Sequence, residues 1–197
     1  GMKRVMFGGS FDPVHIGHVS LVKTLLLEQD VGIVTVVPAK CSPFKTDKKL
    51  CENQKRLEMC RLAFEGIPNV EISDMEFEMP SPSFTVSTLK ELKKRFPGDS
   101  LGLLMGGDSV MGLCRWKEYD RILQMAEIFA AVREDADLNA IKNELERLFA
   151  HYRIVNMPKL LVSSTEIRSR LAKGMSCEKF LCPKVEKYIT DNRLYQD

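Results

Sequence analysis

Near its start the chain has a short apolar run, Val5–Gly8, which leads into the stretch Gly8-Gly9-Ser10-Phe11-Asp12-Pro13-Val14-His15-Ile16-Gly17-His18. Apolar residues at helical spacing follow from Ile16, so this stretch joins a predicted strand to a predicted helix. Paired glycines let the backbone approach a ligand closely, and the helix start offers unpaired N–H groups and a positive dipole end. The stretch therefore predicts a phosphate-binding turn at the start of an α/β fold.

Two common nucleotide-binding patterns do not describe this turn. It lacks the G-x-G-x-x-G fingerprint of dinucleotide-binding folds, and it lacks the Gly-Lys-Ser/Thr of a P-loop. Dinucleotide binding by the usual fingerprint and P-loop hydrolysis therefore both lose support.

The rest of the chain alternates between short apolar runs and helical stripes. Continuous apolar runs are expected of parallel strands that are covered on both faces, and alternation with helices indicates βαβ units. We predict an α/β fold, a Rossmann-like doubly wound parallel sheet with a small C-terminal helical part. The predicted strands are Val5–Gly8, Ile33–Pro38, Val70–Ser73, Leu101–Met105, Ile128–Val132 and Arg153–Asn156. The predicted helices are Ile16–Gln29, Glu52–Gly66, Thr85–Phe96, Asp137–Ala150, Thr165–Lys173 and Pro183–Asn192.

The composition is that of an ordinary globular protein. Of the 197 residues, 44% are hydrophobic and 28% are charged, which excludes the disordered, collagen-like and coiled-coil classes. No run reaches the ~18 apolar residues of a membrane span, and no signal-peptide pattern opens the chain. We expect a single domain over residues 2–197, with Gly1 interpreted as a tag remnant, in a cytoplasmic protein without a membrane partner.

The charge balance limits the classes of binding partner, and the cysteine pattern indicates the state of the thiols. Lys and Arg number 29 and Asp and Glu number 27, for a net charge of +2, and the two signs are interspersed. A nucleic-acid binder would carry a larger or more clustered basic excess. The six cysteines form no Cys-x-x-Cys pair, so we predict reduced, mostly structural thiols. The oligomeric state is left open, a homo-oligomer included.

Two of the three histidines of the chain lie in the glycine-rich turn. His15 and His18 are three residues apart, so on a helix they would share one face. Imidazoles beside a phosphate site can donate hydrogen bonds to its oxygens and stabilise charge in a transition state. The alternatives are a zinc pair completed from distant loops and two histidines on a helix surface. The third histidine, His151, is expected to be a surface residue at a helix end.

A second cluster lies near the C-terminus, at Ser163-Ser164-Thr165-Glu166-Ile167-Arg168. Ser163 followed by Glu166 predicts a capping box and therefore a helix start. Arg168 would project from the first turn, and its guanidinium matches phosphate geometry. Alone, the cluster fits a structural helix start. Together with the histidine turn it predicts the other half of a triphosphate clamp.

Both clusters resemble signatures of the nucleotidylyltransferase superfamily, (T/S)-F-D-x-x-H-x-G-H and (I/V)-S-S-T-x-I-R. The resemblance covers nearly the whole chain and is closest to the bacterial nicotinate-nucleotide adenylyltransferases. It implies the nucleotidylyltransferase fold, with His15 and His18 at the α-phosphate of ATP and Arg168 at the β- and γ-phosphates. The residues that it implies for ATP binding are Gly8, Gly9, Ser10, Phe11, His15, Gly17, His18, Gly106, Asp108, Arg133, Ser163, Ser164, Thr165 and Arg168.

Further segments resemble the acceptor side of that family. By resemblance Ser83, Phe84 and Thr85 line a nicotinate pocket, Trp116 stacks on the pyridine ring, and Lys45 binds substrate and assists catalysis. A lone tryptophan is otherwise more often a packed core residue. The chain departs from the family at Phe44, where a histidine is usual, and at Phe84, where tyrosine is usual. The Phe44 departure bears on affinity or substrate choice.

The resemblance implies transfer of AMP from ATP to nicotinate mononucleotide, giving deamido-NAD and pyrophosphate. The attacking phosphate is already ionised, so catalysis would come from positioning and charge neutralisation by His15, His18, Lys45 and Arg168. Mg²⁺ would arrive with ATP, held by phosphate and water, without a metal site of protein ligands. The alternatives are nicotinamide mononucleotide or phosphopantetheine as acceptor, or a nucleotide-binding module without turnover.

Overall fold

A parallel sheet with the strand order β3-β2-β1-β4-β5-β6 organises the protein in a computed structural model that describes residues 1–40, 50–158 and 162–196. Every pair of neighbouring strands in the described ranges is parallel. The order reverses between β1 and β4, which is the switch point of a doubly wound sheet. The strands are β1 Lys3–Gly9, β2 Ile33–Pro38, β3 Val70–Ile72, β4 Ser100–Gly106, β5 Ala126–Arg133 and β6 Tyr152–Met157.

Helices connect the strands and follow the last one. They are α1 Ile16–Glu28, α2 Asn53–Ala63, α3 Thr85–Arg95, α4 Gly107–Gly112, α5 Tyr119–Met125, α6 Leu138–Arg147, α7 Ser164–Ala172 and α8 Pro183–Asp191. Short 3₁₀ turns add Met75–Glu78 and Leu113–Arg115. All six predicted strands and all six predicted helices are present within a few residues of their predicted ends. The sequence prediction missed the short helices α4 and α5.

Two apolar clusters bury the two faces of the sheet. Along β1, Val5 and Phe7 belong to one cluster and Met6 to the other, because successive side chains of a strand alternate between faces. The first cluster packs under α1, α2, α7 and α8. The second packs under α3 to α6. The predicted doubly wound α/β fold is thereby confirmed, and the C-terminal helices lie on the same face as α1.

The cysteines of the described residues are free thiols, namely Cys51, Cys60, Cys114, Cys177 and Cys182. Cys41 lies outside the described residues. In the parts of the chain that the structure describes, no helix is both long enough and apolar enough to cross a membrane.

Candidate active site

An open cleft of about 560 Å³ lies at the carboxyl ends of the strands beside the switch point. This is where open parallel sheets bind their ligands. Six of the predicted site residues line it: Gly8, His18, Gly106, Asp108, Trp116 and Arg133. Sequence reasoning missed other lining residues, among them Leu21, Asp135, Ala136 and Met157.

Gly106, the last residue of β4, and Gly107, the first residue of α4, have different roles. A Cβ on Gly106 would have no other atom within 4 Å, so this backbone borders open space that a ligand could enter. A Cβ on Gly107 would lie 2.5 Å from Cδ1 of Ile141 on α6. Gly107 thus allows α4 to pack closely on α6, which brings Asp108 to the cleft wall.

The histidine pair forms the start of α1. His15 is the N-cap residue and His18 the third residue of the helix, so only His18 is itself helical. The amide of Gly17 donates to Nδ1 of His15, and the amide of His15 donates to Nδ1 of His18, both at 3.0 Å. Because each Nδ1 accepts a hydrogen bond from a backbone N–H group, each neutral ring carries its own proton on Nε2. Each imidazole is therefore a fixed Nε2–H donor.

Both histidines are neutral at physiological pH. Burial lowers the pKa of His15 to about 4. Burial, followed by the charge of the neighbouring His15, lowers the pKa of His18 to about 3. The ring centroids are 3.9 Å apart, which confirms that the two rings lie together. His15 is only 4% exposed and lies behind His18, which lines the cleft.

Phe11 supports the histidines from the core. It is buried, and its ring lies edge-on to Phe7 and His18, with centroids 5.1 and 5.0 Å away. Its backbone is in the left-handed region, with φ of 47°, which turns the chain sharply after Ser10. The structure thus shows the Phe11 side chain packed against Phe7 and His18. A contact of Phe11 with ATP stays a prediction.

Four carbonyl groups of the turn accept hydrogen bonds from donors in three other parts of the chain, namely the end of β2, helix α2 and helix α7. The Gly9 carbonyl accepts from the Ala39 amide at 2.7 Å, and the Ser10 carbonyl accepts from Nη1 of Arg56 at 2.7 Å. Arg168 Nη1 donates to the Asp12 carbonyl at 2.7 Å, and Ser164 Oγ donates to the Pro13 carbonyl at 2.9 Å. Because protein donors neutralise the partial negative charges of these carbonyl oxygens, the surroundings of the turn favour an anion.

Arg56 is a functional candidate that sequence reasoning missed. It lies on α2, is completely buried, and also donates from Nε to the Cys51 carbonyl at 2.8 Å. A buried guanidinium is costly unless its donors are satisfied. The one signal in the sequence was a cation inside the apolar stripe of this helix, next to Leu57.

The start of α7 confirms the predicted helix start and corrects one detail. Ser163 caps the helix, its Oγ accepting from the Glu166 amide at 3.1 Å. The predicted reciprocal bond of a capping box is wrong, because the Glu166 carboxylate accepts from Arg170 instead, at 3.3 Å. Arg168 also donates to Oγ1 of Thr165, at 3.3 Å. The two motifs are in direct contact through the bonds of Arg168 to the Asp12 carbonyl and of Ser164 to the Pro13 carbonyl.

The residues of the second motif do not line the cleft. Arg168 instead lines a neighbouring surface depression together with Lys55 and Arg193. In the described residues its hydrogen bonds go to Asp12 and Thr165, so the structure shows it positioning the turn. Contacts of Ser163, Ser164, Thr165 and Arg168 with phosphates stay predictions.

The predicted acceptor segments meet beside the cleft. Phe84 is the N-cap residue of α3, which begins at Thr85 and has no side-chain cap. Nζ of Lys117 lies 4.4 Å from the centroid of the Phe84 ring, and Lys117 directly follows Trp116 in the cleft wall. Ser83 Oγ is buried without a hydrogen bond among the described residues. Lys45 and Phe44 lie outside the described residues.

The described residues contain no group of three His, Cys, Asp or Glu side chains placed to hold a metal ion. This finding concerns the protein ligands alone. A cation that enters as part of a nucleotide would be held chiefly by phosphate oxygens.

Comparison with known proteins identifies the family. Residues 6–170 match the Cytidylyltransferase-like family. A protein of Albidiferax ferrireducens named "Probable nicotinate-nucleotide adenylyltransferase" is 38% identical over 197 residues, which cover 99% of each chain. A protein of the same name from Bacteroides fragilis is 35% identical over 187 residues, covering 95% of this chain and 90% of that one. The chain belongs to the nicotinate-nucleotide adenylyltransferase family.

Solved structures agree with this family at the level of the fold. Nicotinic acid mononucleotide adenylyltransferase of Plasmodium falciparum, complexed with NaAD, aligns with a TM-score of 0.82 at 22% identity, covering 99% of this chain and 98% of that one. The same protein complexed with APC aligns with a TM-score of 0.81. The family predicted from the two motifs is therefore confirmed.

Proposed function

We propose that this member of the nicotinate-nucleotide adenylyltransferase family transfers AMP from ATP to nicotinate mononucleotide, releasing pyrophosphate. The observation that carries the proposal is the backbone-locked pair of neutral histidines beside the switch-point cleft. Their two Nε2–H groups are donors with a fixed direction, which suits the non-bridging oxygens of a phosphate.

The acceptor phosphate attacks the α-phosphate of ATP, and the bond to the β-phosphate breaks. The attacking oxygen is ionised at neutral pH, so no general base is required. Catalysis then consists of holding two anions in line and stabilising the charge that builds up on the α-phosphate. His18 donates from Nε2 to that phosphate, and His15 supports its ring. The arriving phosphates also raise the pKa of both imidazoles, so these can share positive charge with the transition state.

The remaining contacts of ATP are assigned by the same proposal. Gly106 and Asp108 lie at the adenosine, with Arg133 on the adenine side of the cleft. The β- and γ-phosphates approach the start of α7, where hydroxyl groups and the helix dipole favour an anion. Lys45, which lies outside the described residues, is proposed to bind substrate and to assist catalysis. Magnesium arrives bound to ATP as part of the substrate.

The acceptor is proposed to be the acid form of the mononucleotide. Trp116 supplies a flat apolar face for a pyridine ring. The start of α3 at Thr85 has no capping side chain, and Lys117 places a cation beside it. A helix N-terminus and an ammonium group both favour a carboxylate over a neutral amide. These features support nicotinate over nicotinamide.

The deciding experiment measures pyrophosphate release with Mg-ATP and, in parallel, nicotinate mononucleotide, nicotinamide mononucleotide or phosphopantetheine. Strong turnover with the first acceptor is expected, and it would show that Phe44 is tolerated in place of histidine. Preference for another acceptor would keep the chemistry and contradict the proposed specificity. ATP binding without turnover on any acceptor would favour a nucleotide-binding module.

A further inference from the structure

The last residues that the structure describes return to the histidine turn. After α8, Leu194 is buried in the apolar cluster and anchors the segment. The next residue, Tyr195, donates its hydroxyl to Oδ1 of Asp12, which is 183 residues earlier in the chain. The segment around Tyr195 therefore contacts the histidine turn through Asp12, and neither of these two residues lines the cleft.

Asp12 is an unusual residue to bury. It is 1% exposed, and its Oδ1 accepts from Tyr195 and, at 3.3 Å, from the Cys51 amide. Its Oδ2 is buried and has no hydrogen bond among the described residues. Burial of a carboxylate with so few partners costs stability, so this side chain is not explained by stability alone. The short spacing to His15 suggests a role in the shape of the turn.

The bond from Tyr195 is present at every working pH. Burial, and then the Asp12 charge, raise the pKa of the Tyr195 hydroxyl far above its usual value. The hydroxyl therefore always keeps its proton and remains a donor. Other bonds fix the same side of the turn, namely those from Arg168 and Ser164 and the bond from the Ile16 amide to the Phe180 carbonyl at 3.0 Å. Among the described residues, the Asp12 side chain is held by the Tyr195 hydroxyl and the Cys51 amide, and Tyr195 is the partner that donates from a side chain.

We propose that Tyr195 is a positioning residue for catalysis, because its hydroxyl fixes Asp12 and thereby the backbone that orients His15 and His18. The link runs through the short segment Asp12-Pro13-Val14-His15, in which the His15 amide itself donates to Nδ1 of His18. A small displacement of Asp12 would therefore change the direction of both Nε2–H donors. The kinetic part of this inference rests on the proposed function.

The first test compares Tyr195→Phe with Tyr188→Phe. Each change removes one hydroxyl from the C-terminal part, and the Tyr188 hydroxyl has no hydrogen bond among the described residues, so it serves as the control. Tyr195→Phe should lower kcat on the order of tenfold to hundredfold, with KM for ATP changed by less than threefold. Tyr188→Phe should retain the wild-type kcat. If kcat falls only in proportion to the fraction of protein that is folded, as measured by urea unfolding, the proposal is overturned.

The second test does not depend on activity. The chain contains only three histidines, so the ring ¹⁵N and ¹H resonances of His15 and His18 can be followed by NMR, with exposed His151 as an internal reference. Tyr195→Phe should shift or broaden the resonances of His15 and His18 and leave those of His151 unchanged. Unchanged resonances for all three would overturn the proposal even if adenylyl transfer proves to be absent.

Asp12→Asn provides a second approach if Tyr195→Phe does not fold. It keeps the size and an acceptor oxygen but removes the charge, which weakens the bond from Tyr195. The same two histidines should shift, to a smaller extent, and Tyr195→Phe should have a reduced effect on kcat in this background. Wild-type resonances and kcat in Asp12→Asn, or additive effects of the two changes, would contradict a role of Tyr195 through Asp12.

Discussion

The histidine pair shows how the backbone can set the chemistry of a side chain. A free imidazole has two tautomers and titrates near neutral pH. Here two backbone amides occupy the Nδ1 atoms of His15 and His18, and burial keeps both rings neutral. The result is a pair of neutral donors in place of a pair of cations, which avoids charge repulsion at a ring distance of 3.9 Å.

His18→Ala should lower turnover by at least ~10²-fold, because it removes a fixed donor to the reacting phosphate. The variant should remain folded, since the helix retains its buried face. The check is pyrophosphate release under saturating substrates beside circular dichroism, with His151→Ala as the exposed control. A folded His18→Ala enzyme with wild-type turnover would remove His18 from the mechanism.

Lys117→Met should weaken the preference for the acid acceptor. The ammonium group lies on the Phe84 ring beside the start of α3, so its loss should raise KM for nicotinate mononucleotide several-fold, the size of an exposed charge interaction of roughly 1 kcal/mol. Turnover of nicotinamide mononucleotide should not change. Lys90→Met removes a nearby cation, which pairs with Glu118 at 3.6 Å, and is the matched control. Equal effects on both acceptors would contradict this role.

At the scale of elements, the two halves of the proposed phosphate site are helix starts. α1 begins with a histidine cap and α7 with a serine cap. In each case a side chain satisfies a backbone N–H group that the helix itself cannot satisfy. Ser164 and Arg168 of α7 also donate to the carbonyls of Pro13 and Asp12 in the histidine turn.

Ser163→Ala and Asp137→Ala separate the capping role of a helix start from a role in binding. Asp137 caps α6, its Oδ1 accepting from the Ala140 amide at 3.0 Å. Each change should lower the free energy of unfolding by about 1 kcal/mol, the usual worth of such a cap. Only Ser163→Ala should also lower kcat/KM for ATP. An equal kcat/KM in both variants would restrict Ser163 to capping.

Most elements could be predicted because their signals are local. The strands are continuous apolar runs, and the long helices have a buried stripe and clear stops, such as Pro97-Gly98 after α3. The helices α4 and α5 have only six and seven residues, and α4 both begins and ends with a glycine, so too few turns exist for a periodic pattern. In the structure, Val110 of α4 and Ile122 of α5 pack in the second apolar cluster and hold these two helices in place.

The site was predictable to the extent that its residues end strands or start helices. Gly8, Gly106 and Arg133 end strands of the sheet, and neighbouring parallel strands bring their ends to one edge. The bonds of Asp12 with Tyr195 and of Ser10 with Arg56 join distant residues by single hydrogen bonds. No period or spacing in a sequence encodes such pairs, so these contacts, and with them Arg56 and Tyr195, emerged only from the structure.

At the scale of the whole molecule, the buried histidines link the active site to stability. Their pKa values are about 4 and 3 in the folded protein and near 6.5 in an unfolded chain. Between these values the unfolded state binds more protons, so the free energy of unfolding falls as the pH falls from about 6.5 toward 4. The stability that the neutral rings contribute is fully present above pH 6.5.

His18→Asn should reduce this pH dependence. Asparagine can still accept the backbone bond but does not titrate, so the loss of unfolding free energy between pH 7 and pH 5 should be smaller than in the wild type by roughly 2 kcal/mol. Urea unfolding at both pH values measures the difference, and His151→Asn is the exposed control. Identical pH dependence in His18→Asn and the wild type would mean that His18 is not held neutral by the fold.

The contacts of the turn also determine when, during synthesis of the chain, the histidine turn can reach its final structure. β1 and the glycine turn leave the ribosome early, whereas Ser164, Arg168 and Tyr195 follow their partners by 151, 156 and 183 residues. At typical rates of synthesis this delay is on the order of 10 s. A nascent chain can therefore form much of its sheet while its histidine turn still lacks its supports. Its capacity to react with ATP would begin only after Tyr195 has left the ribosome.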